Sequence, residues 1–444
     1  MADGKSNANE QNLFKMNVRR SPPIIVHPAG DIKAGGTYFL SNLDQNLPVI
    51  MKTIYCFPAT DRRAVDKVVG EILRTSLEKV LVHFYPFDGR LAVNDEKKLV
   101  VRLNGGGVPF VEATADCELE LLGDVSIPQP EKLGMLVYCP QRESIFEMPL
   151  LMVQVTKFKC GGFIVGMAMS HSLADGLSTV EFLHAWAETA RGLPISLSPF
   201  LDRSILTARC PPKPQFPNPA FADLSGSLSS VAASPFPSLP ILHRSFSFDP
   251  AKLSRLKLLA TDAGDDRPLP STFAALAGLV WRSRTIALNT PSADPAKLLF
   301  AVDGRKKLKP PLPGGFFGNG INFACCLCPA GEIIDRPLAH TVRMVQSAIW
   351  EVSDESIRST IDYYEVTRAM PSLAGTLVLT DWTRLGFGAT DFGWGCAAQT
   401  GPAELPGMEV ALFLPPAKGA KTGTTVVLGL SPPAMSTFQE IMDF

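Results

Sequence analysis

Apolar residues recur at helical spacing over 62–82, where Val65, Val68, Val69, Ile72, Leu73, Leu77, Val80 and Leu81 share one face. The following His83-Phe84-Tyr85-Pro86 ends that helix, because proline removes a donor and clashes with the preceding turn. Residues 99–103 and 153–159 read as strands, the second alternating imperfectly through Val153, Val155 and Phe158. A nearly unbroken apolar run over 161–170 predicts another strand. Val180, Leu183, Ala187 and Ala190 then return to the helical period, with Gly192 as a stop. Ten of the 38 prolines fall within 194–240, beside a serine-rich patch at 225–234. Such a stretch sustains neither a helix nor a central strand, so it reads as a linker. Order resumes at His243-Arg-Ser-Phe-Ser-Phe248. A helix opens at Pro270-Ser271 and carries Phe273, Leu276, Val280 and Arg284. A short strand covers 298–302, strands at 408–414 and 424–430 pair, and a last helix ends near Met442.

With 444 residues the chain is long for one core and suits two domains. The expected division is a disordered tail at 1–15, a first domain at 16–193, a crossover at 194–240 and a second domain at 241–444. A hydrophobic content of 46% with 19% charged residues describes a globular protein with much to bury. The net charge of −1 argues against nucleic acid as a partner. The polar start, 1–11, lacks the apolar core of a signal peptide, and no segment approaches the ~20 apolar residues of a membrane span. A cytoplasmic monomer is expected. Nine cysteines, an odd number, suit reduced thiols rather than a disulfide scaffold. Cys325, Cys326 and Cys328 cluster, but neighbours in a strand face opposite ways and no second cluster lies at zinc-site spacing, so no metal site is expected.

Candidate chemistry concentrates in His171-Ser-Leu-Ala-Asp175-Gly176, where the predicted strand hands over to the predicted helix. A histidine held at such a junction can face a cleft, and imidazole takes a proton near neutral pH. A histidine and an aspartate four apart also arise by chance, and the glycine suits an ordinary tight turn. His184 is not at a ligand spacing from either residue.

Distant segments change that balance. Thr380-Asp-Trp382-Thr-Arg384-Leu leads into Asp391-Phe392-Gly393-Trp394-Gly395. Tyr85-Pro-Phe-Asp-Gly-Arg90 precedes the histidine, and Val302-Asp303-Gly304-Arg305 and Phe317-Gly318-Asn319 follow it in order. Together with HxxxDG they resemble the landmarks of the BAHD family of plant acyl-CoA-dependent acyltransferases, over nearly the whole chain. The resemblance implies an α/β fold of two similar-sized mixed domains, chloramphenicol acetyltransferase-like, with a channel between them. It implies acyl-CoA as co-substrate, no permanently bound cofactor, and His171 as general base. Asp175 and Gly176 would support the site, Asp175 by pairing with Arg305, and Asp391, Gly393 and Trp394 would form a structural element beside the channel. Trp382 and Arg384 would face the acceptor, and Trp382 with its backbone is a candidate oxyanion donor. The basic run Arg305, Lys306, Lys307 and Lys309 is either a phosphate contact or solvated surface. Asp88, Cys210 and Cys396 depart from the family's usual residues without touching the base.

Within the family, Leu40-Ser-Asn-Leu-Asp44-Gln45-Asn46, Gln154-Val-Thr-Lys-Phe-Lys-Cys160 and Ile361-Asp-Tyr-Tyr-Glu-Val-Thr-Arg368 resemble the enzymes that move hydroxycinnamoyl groups (feruloyl, caffeoyl or p-coumaroyl) onto ω-hydroxy fatty acids and fatty alcohols, for cutin and suberin. The alternative is a shikimate or quinate hydroxycinnamoyl transferase, to which His171-Ser-Leu-Ala-Asp175 is closer. There Arg384 would hold an acceptor carboxylate by bidentate pairing, although it equally suits a surface ion pair. An idle protein that binds CoA esters is the alternative of another class, and the intact His171 argues against it. A condensation domain is disfavoured by Ser170 before His171 and by DFGWG.

Overall fold

Eight consecutive buried residues, Phe163–Ser170, form an inner strand of the first sheet, which accounts for their unbroken apolar run. The computed structural model describes residues 16–30, 35–59, 62–216, 219–227, 241–262, 268–406, 409–416, 420 and 422–444. The expected tail at 1–15 and the 228–240 part of the expected crossover lie outside the described residues.

The first sheet runs in the order Val18–Arg20, Val108–Ala115, Leu151–Lys157, Phe163–Ser170, Ile50–Phe57 and Gln399–Pro402, with Ile24–Val26 also paired to Val108–Ala115. Strand alternation separates its two faces. Tyr55, Phe57, Phe163, Val165 and Met167 pack with Leu73, Leu77, Phe182 and Trp186 of the helices Arg62–Val80 and Gly176–Ala190. Ile54, Cys56, Ile164 and Ala168 face the other way, onto Leu133, Leu136 and Val137. The expected strand at 153–159 begins two residues earlier. Phe158 has left the ladder for a turn that Gly161 closes, its N–H donating to the Phe158 carbonyl with φ at +85°.

The second sheet runs Leu242–Phe248, Thr424–Leu430, Val410–Leu414, Thr376–Asp381, Pro295–Asp303 and Ile321–Pro329. The helices Thr272–Ala287, Leu338–Glu351 and Pro432–Met442 cover one face of it. Ser271 caps the first of these by accepting from the Ala274 N–H at 3.1 Å, as the Pro270-Ser271 signal predicts. Cys326 and Cys328 are buried toward that helical layer, and Cys325 is half-buried. Burial pushes the Cys325 thiol up to about 12 and the Cys328 thiol up to about 11. No disulfide joins the cysteines among the described residues.

The sheets do not respect the division of the chain at 241. Gln399–Pro402, from the second half, adds an antiparallel edge strand to the first sheet, Gln399 opposite Cys56 and Pro402 opposite Thr53. A third sheet joins Thr37–Phe39, Leu99–Arg102 and Arg90–Val93. Among the described residues no helix is long and apolar enough to cross a membrane, and no group of three or more His, Cys, Asp or Glu is placed to hold a metal ion.

Candidate active site

His171 begins where the strand Phe163–Ser170 ends. Its backbone N–H donates to the Val49 carbonyl at 2.8 Å, and the Leu173 N–H folds back onto the Ser170 carbonyl at 3.0 Å. The turn ends at Asp175, the N-cap of the helix Gly176–Ala190, whose carboxylate accepts the Ser178 N–H at 3.0 Å. Gly176 permits a close approach. A Cβ there would lie 2.6 Å from a methyl of Leu385, in the loop that follows Thr376–Asp381.

Asp175 does not serve the imidazole. Arg305 grips it with two N–H groups at 2.8 and 3.0 Å, and the Gly320 N–H adds a bond at 2.9 Å. Burial alone raises such a carboxyl, but the charge and hydrogen bonds of Arg305, with the Ser178 and Gly320 N–H groups, outweigh it and hold Asp175 below the usual carboxylate range. Arg305 also donates to Ser178 Oγ at 3.0 Å and to the Gly318 carbonyl at 3.1 Å. The Asp175–Arg305 pair thus pins the HxxxDG turn to the second domain.

His171 Nδ1 meets Asn319 Oδ1 at 3.1 Å instead, and Asn319 Nδ2 donates to the His171 carbonyl at 2.7 Å. Asn319 also donates to Asp44, through its backbone N–H and its side chain. Nε2 is the ring nitrogen with no hydrogen-bond partner among the described residues. Neither Asn319 nor Asp44 is legible from sequence as a site residue. Both lie in family-like segments, but Asn319 is 148 positions from His171, and no local pattern shows that they meet.

A cavity of about 400 Å³ lies between the two sheets, with His171 on its wall. Met51, Met167 and Met169 line it from the first sheet, and Leu299, Val378 and Leu412 from the second. Its charged lining residues are Asp175, Asp303 and Asp381. No lysine or arginine among the described residues lines it. Trp382 is part of the wall, and its ring packs against Phe387 at 5.3 Å. Its backbone N–H already donates to the Phe413 carbonyl at 2.7 Å, which removes that group as an oxyanion donor. Arg384 is exposed, is not part of the wall, and forms no ion pair among the described residues. The structure therefore does not bring Arg384 to the acceptor space.

Asp391 accepts the N–H groups of Gly393 at 2.8 Å and Gly395 at 2.9 Å, closing a turn in which both glycines have positive φ, +110° and +88°. Trp394 stacks edge-on against Phe163 at 5.3 Å, and Phe392 against Trp186 at 4.9 Å. This element buttresses the first domain's core, and none of its residues lines the cavity. Of the basic run, Lys307 donates to the Val352 carbonyl at 2.8 Å, whereas Lys306 and Lys309 are exposed.

Comparison with known proteins agrees with this architecture. The model of the Transferase family matches residues 16–444. The omega-hydroxypalmitate O-feruloyl transferase of Arabidopsis thaliana is 45% identical over 441 residues, covering 99% of this chain and 95% of that one. The fatty alcohol:caffeoyl-CoA acyltransferase of the same plant is 45% identical over 433 residues, 97% and 99% of the two chains. Among solved structures, vinorine synthase superposes with a TM-score of 0.73 at 24% identity, over 95% and 96% of the chains, which speaks to the fold. With identity of this degree over nearly the full length, the chain belongs to the Transferase family, the BAHD acyltransferases, whose co-substrate is acyl-CoA.

Proposed function

We propose that this enzyme transfers a hydroxycinnamoyl group from its CoA thioester to the hydroxyl of a fatty alcohol or ω-hydroxy fatty acid, with His171 as general base. The activities of the two Arabidopsis relatives suggest the donor and acceptor classes. The observation that carries the acceptor is the cavity: about 400 Å³ with largely apolar walls around His171 and, among the described residues, no cation lining it. A shikimate or quinate carboxylate inside it would meet aspartates rather than a guanidinium, since Arg384 lies outside the wall. An idle binding protein has no need of an imidazole with a free nitrogen in the cavity.

The thioester is already activated, so no acyl-enzyme is required. His171 Nε2 takes the proton of the acceptor hydroxyl as its oxygen attacks the thioester carbonyl carbon. The tetrahedral intermediate collapses, the C–S bond breaks, and the protonated imidazole returns its proton to the departing CoA sulfur. The ester and CoA leave, and His171 is neutral again. The proposal places the enzyme in the cytoplasm as a monomer, with the odd number of cysteines, nine, as support for a reducing compartment.

An acceptor competition tests the acceptor. Feruloyl-CoA is offered with equal 16-hydroxyhexadecanoate, a long-chain alcohol and shikimate, and the esters are counted by mass spectrometry. Feruloyl esters of the long-chain acceptors are expected, and none with His171→Ala. A predominant shikimate ester overturns the assignment.

A further inference from the structure

Asn319 stands between His171 and a fully buried ion pair. Its Nδ2 donates to the His171 carbonyl at 2.7 Å and to Asp44 Oδ1 at 2.8 Å. The two ends of an amide look alike in outline, so its orientation has to be read from its partners. A carbonyl and a carboxylate oxygen can only accept, so the end facing them is the NH2. The other end, toward His171 Nδ1 at 3.1 Å, is then the oxygen, and Nδ1 must carry the ring proton. Nε2 keeps its lone pair for the cavity.

Asp44 is itself held on every side. Oδ1 accepts the Asn319 backbone N–H at 3.0 Å as well as the side chain. Oδ2 accepts the Ser41 N–H and hydroxyl, each at 2.7 Å, and lies 3.1 Å from the Arg203 guanidinium. Asp44 and Arg203 expose 0% of either side chain. Arg203 comes from the proline-rich segment between the domains. Its guanidinium also donates to the carbonyls of Phe317, Ser172 and Leu173, and lies over the Tyr38 ring at 5.2 Å. Buried ion pairs add little net stability over apolar packing of the same shape. One placed against the histidine turn calls for another role.

The geometry points to Asp44, clamped by Arg203, as a positioning residue that locks the Asn319 amide and through it keeps the His171 proton on Nδ1. The inference rests on His171 acting as the base, but the lock is a property of the resting protein and is measurable without substrate.

The experiment is 15N NMR of the histidine-labelled full chain, with His171 assigned by its loss in His171→Ala. Wild type is expected to show a neutral His171 protonated at Nδ1. Asp44→Asn keeps the shape and removes one of the two acceptors that hold the Asn319 NH2. The new amide keeps its oxygen toward the three donors of Ser41 and Arg203 and turns its NH2 to Asn319. The Asn319 NH2 then has the His171 carbonyl as its remaining acceptor, the two amide orientations come closer in energy, and a fraction of His171 protonated on Nε2 appears. In that variant kcat should fall with the share of His171 lost from the Nδ1 tautomer, toward the about 10⁴-fold seen when a catalytic histidine is held wholly in the wrong tautomer, with KM little changed. If the unpaired guanidinium prevents folding, the charge-neutral double variant D44N/R203M makes the same swap. Nδ1 protonation retained in full in the folded variant overturns the proposal, and so does a loss of kcat without a change of tautomer. A wild-type His171 protonated on Nε2 overturns it before any variant is made. Failure of the general-base reading shows separately, as retained turnover in His171→Ala.

Discussion

His171 and Asp175 stand four positions apart, yet the two side chains serve different neighbours. The helix N-cap and Arg305 fill the carboxylate, while Asn319 takes the imidazole. Because the Asp175 carboxyl is held below its unfolded value of about 3.9, its contribution to stability is complete above that pH and is lost as pH falls through the folded value. Asp175→Asn leaves the Arg305 charge facing the more exposed Asp303 at 3.2 Å. Breaking one side of a buried pair in this way should cost about 3–5 kcal/mol. Urea unfolding measures it, and a variant with the wild-type midpoint would show that the pair holds nothing together. His171→Ala, by contrast, should lose turnover while its thermal unfolding stays close to wild type, because the ring makes a single side-chain hydrogen bond.

Elements place these residues through close backbone approach. Along Phe163–Ser170 the odd positions face the helices and the even ones face the segment around Leu136, so Gly166 is set against that segment. A Cβ at Gly166 would sit 1.9 Å from the Leu136 carbonyl oxygen, a backbone atom that cannot swing aside as the Leu385 side chain opposite Gly176 can. Gly166→Ala should therefore destabilise by about 1–3 kcal/mol or more, the range for overpacking, and lower the melting temperature. Gly176→Ala should fold with a smaller loss and raise the acceptor KM, since Leu385 lines the cavity and must move. An unchanged melting temperature in Gly166→Ala would mean that strand and segment are free to part. The proline-rich segment is the element whose sequence says least about its part in the site. Its composition announces a linker, whereas Arg203 within it reaches the histidine turn and Asp44.

At the scale of the whole molecule, the cavity exists because two sheets from opposite halves of the chain face each other, and their relative placement has its own fastenings. Glu365, on the helix Asp354–Thr367 of the second half, accepts Lys98 Nζ at 2.6 Å and Asn42 Nδ2 at 2.9 Å from the first. Burial raises its carboxyl, but hydrogen bonds from Arg368, Lys98 and Asn42 outweigh this and bring it down to about 2. The sign follows from that depression: the fastening is intact above an unfolded value of about 4.3 and fails as pH drops toward 2. Glu365→Gln should lower stability at neutral pH and flatten its decline between about pH 4 and 2. Denaturation midpoints across that range check it, and parallel curves for the two proteins would refute it. The sequence alone sufficed for the periodic helices, the inner strands, the HxxxDG junction and the family, because burial imposes a period on the chain and the family's landmarks are local strings. It also carried the Asp175–Arg305 pair, by resemblance. It could not show that Gln399–Pro402 joins the first sheet, that Arg384 is exposed and off the cavity wall, or that Asn319 meets the His171 ring. Those depend on which distant segments come within hydrogen-bonding distance, and contact across 148 residues leaves no period in the chain. Tertiary packing decided them.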